Sequence, residues 1–216
     1  MGLIRRAFSV TAAALLLTCL GGLAGAALAE EASPGNAARG AKLGYTCFGC
    51  HGVPDYRNAY PAYHVPKIGG QHYGYLVAAL GEYRAGVRPH PTMKGQASSL
   101  TEQDARDLAA YFSTANPVQS AGKGSGTPPA AAQTCVACHG ADGVGITPDY
   151  PTLAGQHADY IEQALLSYRK GARQNAVMNP MAAPLKDEDI HALAQYFSQQ
   201  SPPLWVPLPP RHPGAP

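Results

Sequence analysis

The sequence predicts an all-α protein made of two tandem copies of one small module joined by a flexible linker, and three observations carry that prediction. Shifted against itself by 85 residues, the chain superposes Gly70-Gln71-His72 on Gly155-Gln156-His157, Tyr75 on Tyr160, and Tyr83, Arg84, Gly86 and Arg88 on Tyr168, Arg169, Gly171 and Arg173. Apolar residues in each copy recur at helical spacing, while alternating apolar runs that would mark strands are scarce. A C-x-x-C-H motif stands at the head of each copy, CFGCH at 47–51 and CVACH at 135–139.

The chain opens with Arg5 and Arg6, an uncharged run from Ala7 to Ala29, and small residues at Ala27-Leu28-Ala29. That is the layout of a secretory signal peptide over 1–29, cleaved on export. The run is long enough to serve as an uncleaved membrane anchor, the rival reading. Arg5-Arg6 also has a twin-arginine look. Loss of the two arginines brings the 16 basic side chains level with the 14 acidic ones. Such a balance excludes a nucleic-acid binder, which needs a basic surface; it leaves room for peripheral membrane association.

The first module is expected over 30–116. Gly35–Thr46 reads as an N-terminal helix leading into the first motif. A Pro- and Tyr-rich loop follows, then a helix over Tyr73–Ala85 with Leu76, Val77, Leu80 and Tyr83 on one face and Gly86 as its stop. A second loop carries Met93. The last helix starts near Thr101, where Glu102 and Asp104 suit the positive end of the helix dipole. Residues 117–129, PVQSAGKGSGTPP, read as a flexible linker by composition.

The second module, 130–201, repeats the pattern with a shortened first helix, because Pro128-Pro129 interrupts the stretch before Cys135. Its other helices are expected over Ala158–Lys170 and from Asp187. The tail, 202–216, is too Pro-rich for a helix or central strand, so it should run extended, with Trp205 pinning it to a module surface.

Cysteine arithmetic reads C-x-x-C-H as c-type haem attachment. Cys47, Cys50, Cys135 and Cys138 would form the covalent bonds, and His51 and His139 would each ligate an iron. Zinc held by four cysteines is the competing chemistry, but it gives no reason for a histidine after each pair. A thioredoxin-like pair would want a βαβ context that the chain lacks. A methionine at the sixth position of the iron raises the potential and closes the metal, which suits electron transfer. Met93 is the one choice in the first module, whereas Met178 and Met181 compete in the second. Counting from the histidines gives 42 residues to Met93 and 42 to Met181, but only 39 to Met178. That count crosses a loop three residues longer in the first copy. Shared landmarks avoid it: Pro66 to Met93 and Pro151 to Met178 are both 27 residues. Register therefore selects Met178, and Met181 becomes space-filling.

A ligating histidine normally donates its other ring N–H to an oxygen. The carbonyls of Pro66 and Pro151, in the matching contexts VPKIGGQH and YPTLAGQH, are the expected acceptors. His72 and His157 suit haem propionates or the face between modules. Arg84, Arg88, Arg169 and Arg173 suit propionates or solvated helix ends. His64, His90, His191 and His212 follow no pattern and read as surface residues.

Two C-x-x-C-H motifs, each followed by P-x-[LI]-x-G-Q-H and by M-x6-L before an acidic helix start, resemble the di-haem cytochrome c4 family over nearly the whole exported chain. The resemblance implies two tandem class I cytochrome c domains facing each other, two covalently bound haem c groups, and no catalytic site. It implies a periplasmic shuttle between respiratory-chain partners such as a quinol-oxidising complex, a terminal oxidase or a dehydrogenase. The alternative is the cytochrome subunit of a periplasmic dehydrogenase that oxidises sulfide or alcohols; a di-haem peroxidase would need an open iron. The longer Tyr-rich loop, 52–66, and the tail depart from the family pattern.

Overall fold

The structure is a computed structural model that describes residues 34–209, so the expected signal peptide, His212 and the end of the tail lie outside the described residues. The described residues form nine helices and no strand. In the first module these are α1 (Ala37–Leu43), α2 (Tyr45–His51), α3 (Tyr73–Ala85), α4 (Pro91–Ser98) and α5 (Glu102–Thr114). The second holds α6 (Ala132–His139), α7 (Ala158–Arg169), α8 (Met178–Ala182) and α9 (Asp187–Ser198).

Local chemistry sets these boundaries. Gly86 ends α3 at φ 78°, and Gly171 follows α7 at φ 68°, backbone that glycine adopts without a Cβ penalty. Thr101 opens α5 with a capping box: its hydroxyl accepts from Asp104 N at 3.1 Å while the Asp104 carboxylate accepts from Thr101 N at 2.9 Å. The N-terminal stretch is two abutting helices rather than one, joined at Gly44, and the second carries the first motif. The methionines also sit on helices rather than on a loop. Pro91 starts α4, and the His90 ring accepts from Met93 N at 3.2 Å. Asn175 caps the turn before α8 by accepting from Met178 N at 2.9 Å.

Each module has its own core, and four buried residues of one core correspond by register to four of the other. Leu76, Leu108, Ala109 and Phe112 cluster with Phe48 in the first. Their register partners Ile161, Leu193, Ala194 and Phe197 cluster with Ala132 in the second. A fully buried side chain of this size contributes about 1.5–3 kcal/mol, so each small module rests on a handful of residues.

The linker is irregular, as its composition implies, but it is tied down. The buried Asp142 carboxylate accepts from Ser120 Oγ at 2.7 Å, Ala121 N at 2.6 Å and Gly122 N at 3.0 Å. Gln200 holds Ser125 N and O at 2.8 and 3.1 Å. The tail crosses both modules: Leu204 N donates to Ala154 O at 2.8 Å, Trp205 and Gly69 exchange both backbone hydrogen bonds at 3.1 Å, and Trp205 Nε1 donates to Asn116 O at 2.9 Å.

Candidate functional site

Both motifs end a helix, so each histidine leaves its last turn beside its cysteines. The four cysteines are free and half-buried. Burial pushes the thiols of Cys47 and Cys135 up from the usual range. His51 Nδ1 lies 2.8 Å from Pro66 O, and His139 Nδ1 lies 2.9 Å from Pro151 O. With Nδ1–H donated to a carbonyl, Nε2 keeps its lone pair for a metal. Burial also holds both rings below the ordinary histidine range, which keeps them neutral, while each proline carbonyl pulls weakly the other way.

A cavity of about 500 Å³ runs through both modules. Cys47, Cys50, His51 and Met93 line it from the first; Cys135, His139 and Met178 line it from the second. Its walls include Leu76, Leu108 and Phe112 facing Ile161, Leu193 and Phe197. Met178 is half-buried at the cavity, whereas Met181 is 46% exposed and does not line it. Free thiols, neutral imidazoles and thioethers around an apolar chamber fit a covalently held haem. They do not fit a four-cysteine zinc site, since each pair sits in its own module.

Polar groups meet where the modules face each other, and they repeat the sequence register. Gln71 donates to Thr152 O at 3.0 Å and accepts from Thr152 N at 2.9 Å; Gln156 makes the same pair with Lys67 O and N, both at 2.9 Å. Thr152 and Lys67 are themselves register partners, so this face has a pseudo-twofold. His72 Nδ1 reaches Thr147 O and Tyr150 O at 2.9 and 2.8 Å.

Arg88 and Arg173, each only 6% exposed, sit at the same boundary. Each guanidinium stacks 4.4 Å over its own module's tyrosine, Tyr83 or Tyr168. Arg88 donates to Tyr160 Oη at 2.6 Å and to Tyr75 Oη at 3.3 Å, and Arg173 donates to Tyr75 Oη at 3.4 Å. Burial alone would raise the Tyr75 phenol, but the two cations pull it down to about 7. Its partner Tyr160 is pushed up by burial and by Tyr75. Among the described residues only Glu82 offers these cations a carboxylate, at 3.9 and 3.8 Å. One positive charge stays unbalanced, and Arg173 Nε and Glu82 Oε2 are buried without a hydrogen bond. Two arginines lining a cavity with that surplus suit the carboxylates of a porphyrin. Arg84 and Arg169 do something else: they bind the carbonyls of Leu100 and Leu185, tying α3 to α5 and α7 to α9 at their ends.

The cytochrome c family model matches residues 37–116 and 129–201. Cytochrome c4 of Azotobacter vinelandii is 35% identical over 192 residues, spanning 76% of this chain and 88% of that one. The thiosulfate dehydrogenase electron acceptor of Stutzerimonas stutzeri is 29% identical, over 70% of this chain and 77% of its own. The crystal structure of reduced recombinant cytochrome c4 from Pseudomonas stutzeri superposes with a TM-score of 0.61 and 30% identity, over 77% of this chain and 99% of that one. With both repeats matched by the family model and these two cytochrome c4 relatives covered over 88% and 99% of their lengths, the chain belongs to the di-haem cytochrome c4 family of c-type cytochromes, as an electron-transfer protein that binds two haem c groups covalently at Cys47/Cys50 and Cys135/Cys138.

Proposed function

We propose that the protein carries electrons in the periplasm between respiratory-chain partners, with its two irons ligated by His51 and Met93 and by His139 and Met178. The observation that carries this reading is the continuous cavity that all four side chains line from two modules. Bound haem c supplies a one-electron iron couple. The protein's part is to orient the imidazoles through Pro66 and Pro151, to close the sixth positions with thioethers, and to hold the two sites at a fixed separation. A thioether favours the reduced iron and raises the potential. Arg88 and Arg173 would hold the propionates, and Gln71 and Gln156 would lock the register of the two modules. Export by the signal over 1–29 places the carrier among quinol-oxidising complexes, terminal oxidases and dehydrogenases. The likeness to a thiosulfate dehydrogenase electron acceptor favours an inorganic-sulfur dehydrogenase as one donor.

Visible and near-infrared spectra of three variants test the ligand set. Met93→Ala and Met178→Ala should each remove the methionine-ligation signature of one haem, and Met181→Ala should leave both intact. Loss of that signature in Met181→Ala, with Met178→Ala unchanged, would reverse the assignment.

A further inference from the structure

The repeat is broken at one place, and chemistry collects there. His72 and His157 occupy the same register, and His72 bonds to carbonyls in the loop of the opposite module. His157 has no such partner, because the facing loop of the first module is three residues longer and brings a histidine of its own. His64 stacks on His157 with ring centroids 4.6 Å apart and planes only 17° from parallel. Asp55, in the same loop, adopts φ 55°, a left-handed backbone that non-glycine residues seldom hold. One ligating atom from each of Asp55, His64 and His157 falls within 4.8 Å of the other two.

We propose that Asp55, His64 and His157 form a binding site for a divalent transition-metal ion, separate from the haem irons, that clips the two modules together. Two imidazoles and one carboxylate are a donor set for zinc and its neighbours rather than for calcium or magnesium. The site has its own orienting carboxylate. His64 Nδ1 donates to Asp159 Oδ2 at 2.8 Å, and His64 N donates to the same oxygen at 3.1 Å. That bond favours the tautomer in which Nε2 keeps its lone pair. Asp159 Oδ1 is buried without a hydrogen-bond partner, so the carboxylate has capacity to spare. Two cations face the cluster. Lys67 Nζ is engaged by Gly155 O at 2.6 Å. Arg57 NH1 lies 2.9 Å from His64 Nδ1, 3.3 Å from His64 Nε2 and 3.1 Å from Asp159 Oδ2, so an arriving ion displaces it from the ring onto that carboxylate. Asp55 and His64 belong to one module and His157 to the other, so the bound ion adds to the stability of their contact by mass action.

The test is calorimetric titration of zinc chloride into the untagged, haem-loaded full protein in chelator-stripped buffer. The expected result is one zinc per chain and no comparable heat from calcium chloride. His64→Gln and His157→Gln should each weaken binding by more than about tenfold, and Asp159→Asn by roughly 10–100-fold through the tautomer alone. His191→Gln, elsewhere on the surface, should change nothing. Variants are compared only where their haem spectra match wild type, and zinc-edge X-ray absorption of the wild-type complex reads imidazole ligation without any variant. No saturable zinc binding by wild type, or wild-type affinity retained in both His64→Gln and His157→Gln, would overturn the site. So would an absorption edge without imidazole scattering.

Discussion

Asp142 shows how much one side chain can carry in a protein of short helices. It is 1% exposed, and besides the linker donors it accepts from Val144 N at 3.1 Å. Burial alone would raise its carboxyl, but Ser120 and the three backbone N–H groups outweigh that and hold it below the usual carboxylate range. A group whose native value is depressed stabilises above its unfolded value, about 3.9, and that contribution is lost as pH falls through the native value. Asp142→Ala should therefore cost about 1–3 kcal/mol at pH 7, and the gap to wild type in urea unfolding should narrow toward pH 3. At this scale the register made the pairing of each haem histidine with a proline carbonyl legible, because Pro66 and Pro151 stand in matching contexts even though they lie 15 and 12 residues after their histidines. Arg88, Arg173, His64 and His90 were not. The partners of three of them lie in the other module, which composition cannot reveal, and His90 acts as a cap that only the Pro91 helix makes visible.

Among elements, the crossing of α1 with α5 is the tightest contact. A Cβ on Gly40 would collide with Asp107 O and lie 2.9 Å from Tyr111 Cβ, so backbone meets backbone there. Asp107 itself accepts from Asn36 N at 2.7 Å and pairs with Arg39, fastening the start of α1. Gly40→Ala should destabilise by about 1–3 kcal/mol, the scale of overpacking a close-packed site. The loss should fall on the first module, since the second has no counterpart of α1. Chemical unfolding followed at each haem checks this; equal loss at both haems would contradict it. The longer helices were legible because an apolar stripe needs three turns to declare itself. α4 and α8 are too short for any period to show, and a Pro start or an Asn cap decides them.

For the whole molecule, what keeps two small modules acting as one is the boundary between them, and the C-terminal strap is its least expected part. Gly69 and Ala154 are register partners, and consecutive residues of the tail hydrogen-bond to both: Leu204 to Ala154 and Trp205 to Gly69. Leu204 is 1% exposed and Pro207 is fully buried, so the strap has an apolar underside as well as backbone pairing. A Cβ at Gly69 would stand 2.5 Å from the indole, which shows how closely Trp205 lies on the turn. The tail's Pro content excluded a helix or central strand in the sequence, yet it could not reveal that the extended path spans both modules. Burial of Leu204 contributes about 1.5–3 kcal/mol, and each backbone hydrogen bond about 1 kcal/mol. Ending the chain after Ser201 should therefore remove about 3 kcal/mol or more and lower Tm by about 6–12 °C. Because the strap grips equivalent turns, both haems should report the same drop in calorimetry paired with visible spectroscopy. Trp205→Ala should reproduce only part of it, since Leu204 and Pro207 keep their places. An unchanged Tm in the shortened chain would show instead that the glutamine pair and the buried arginines hold the modules together without the strap.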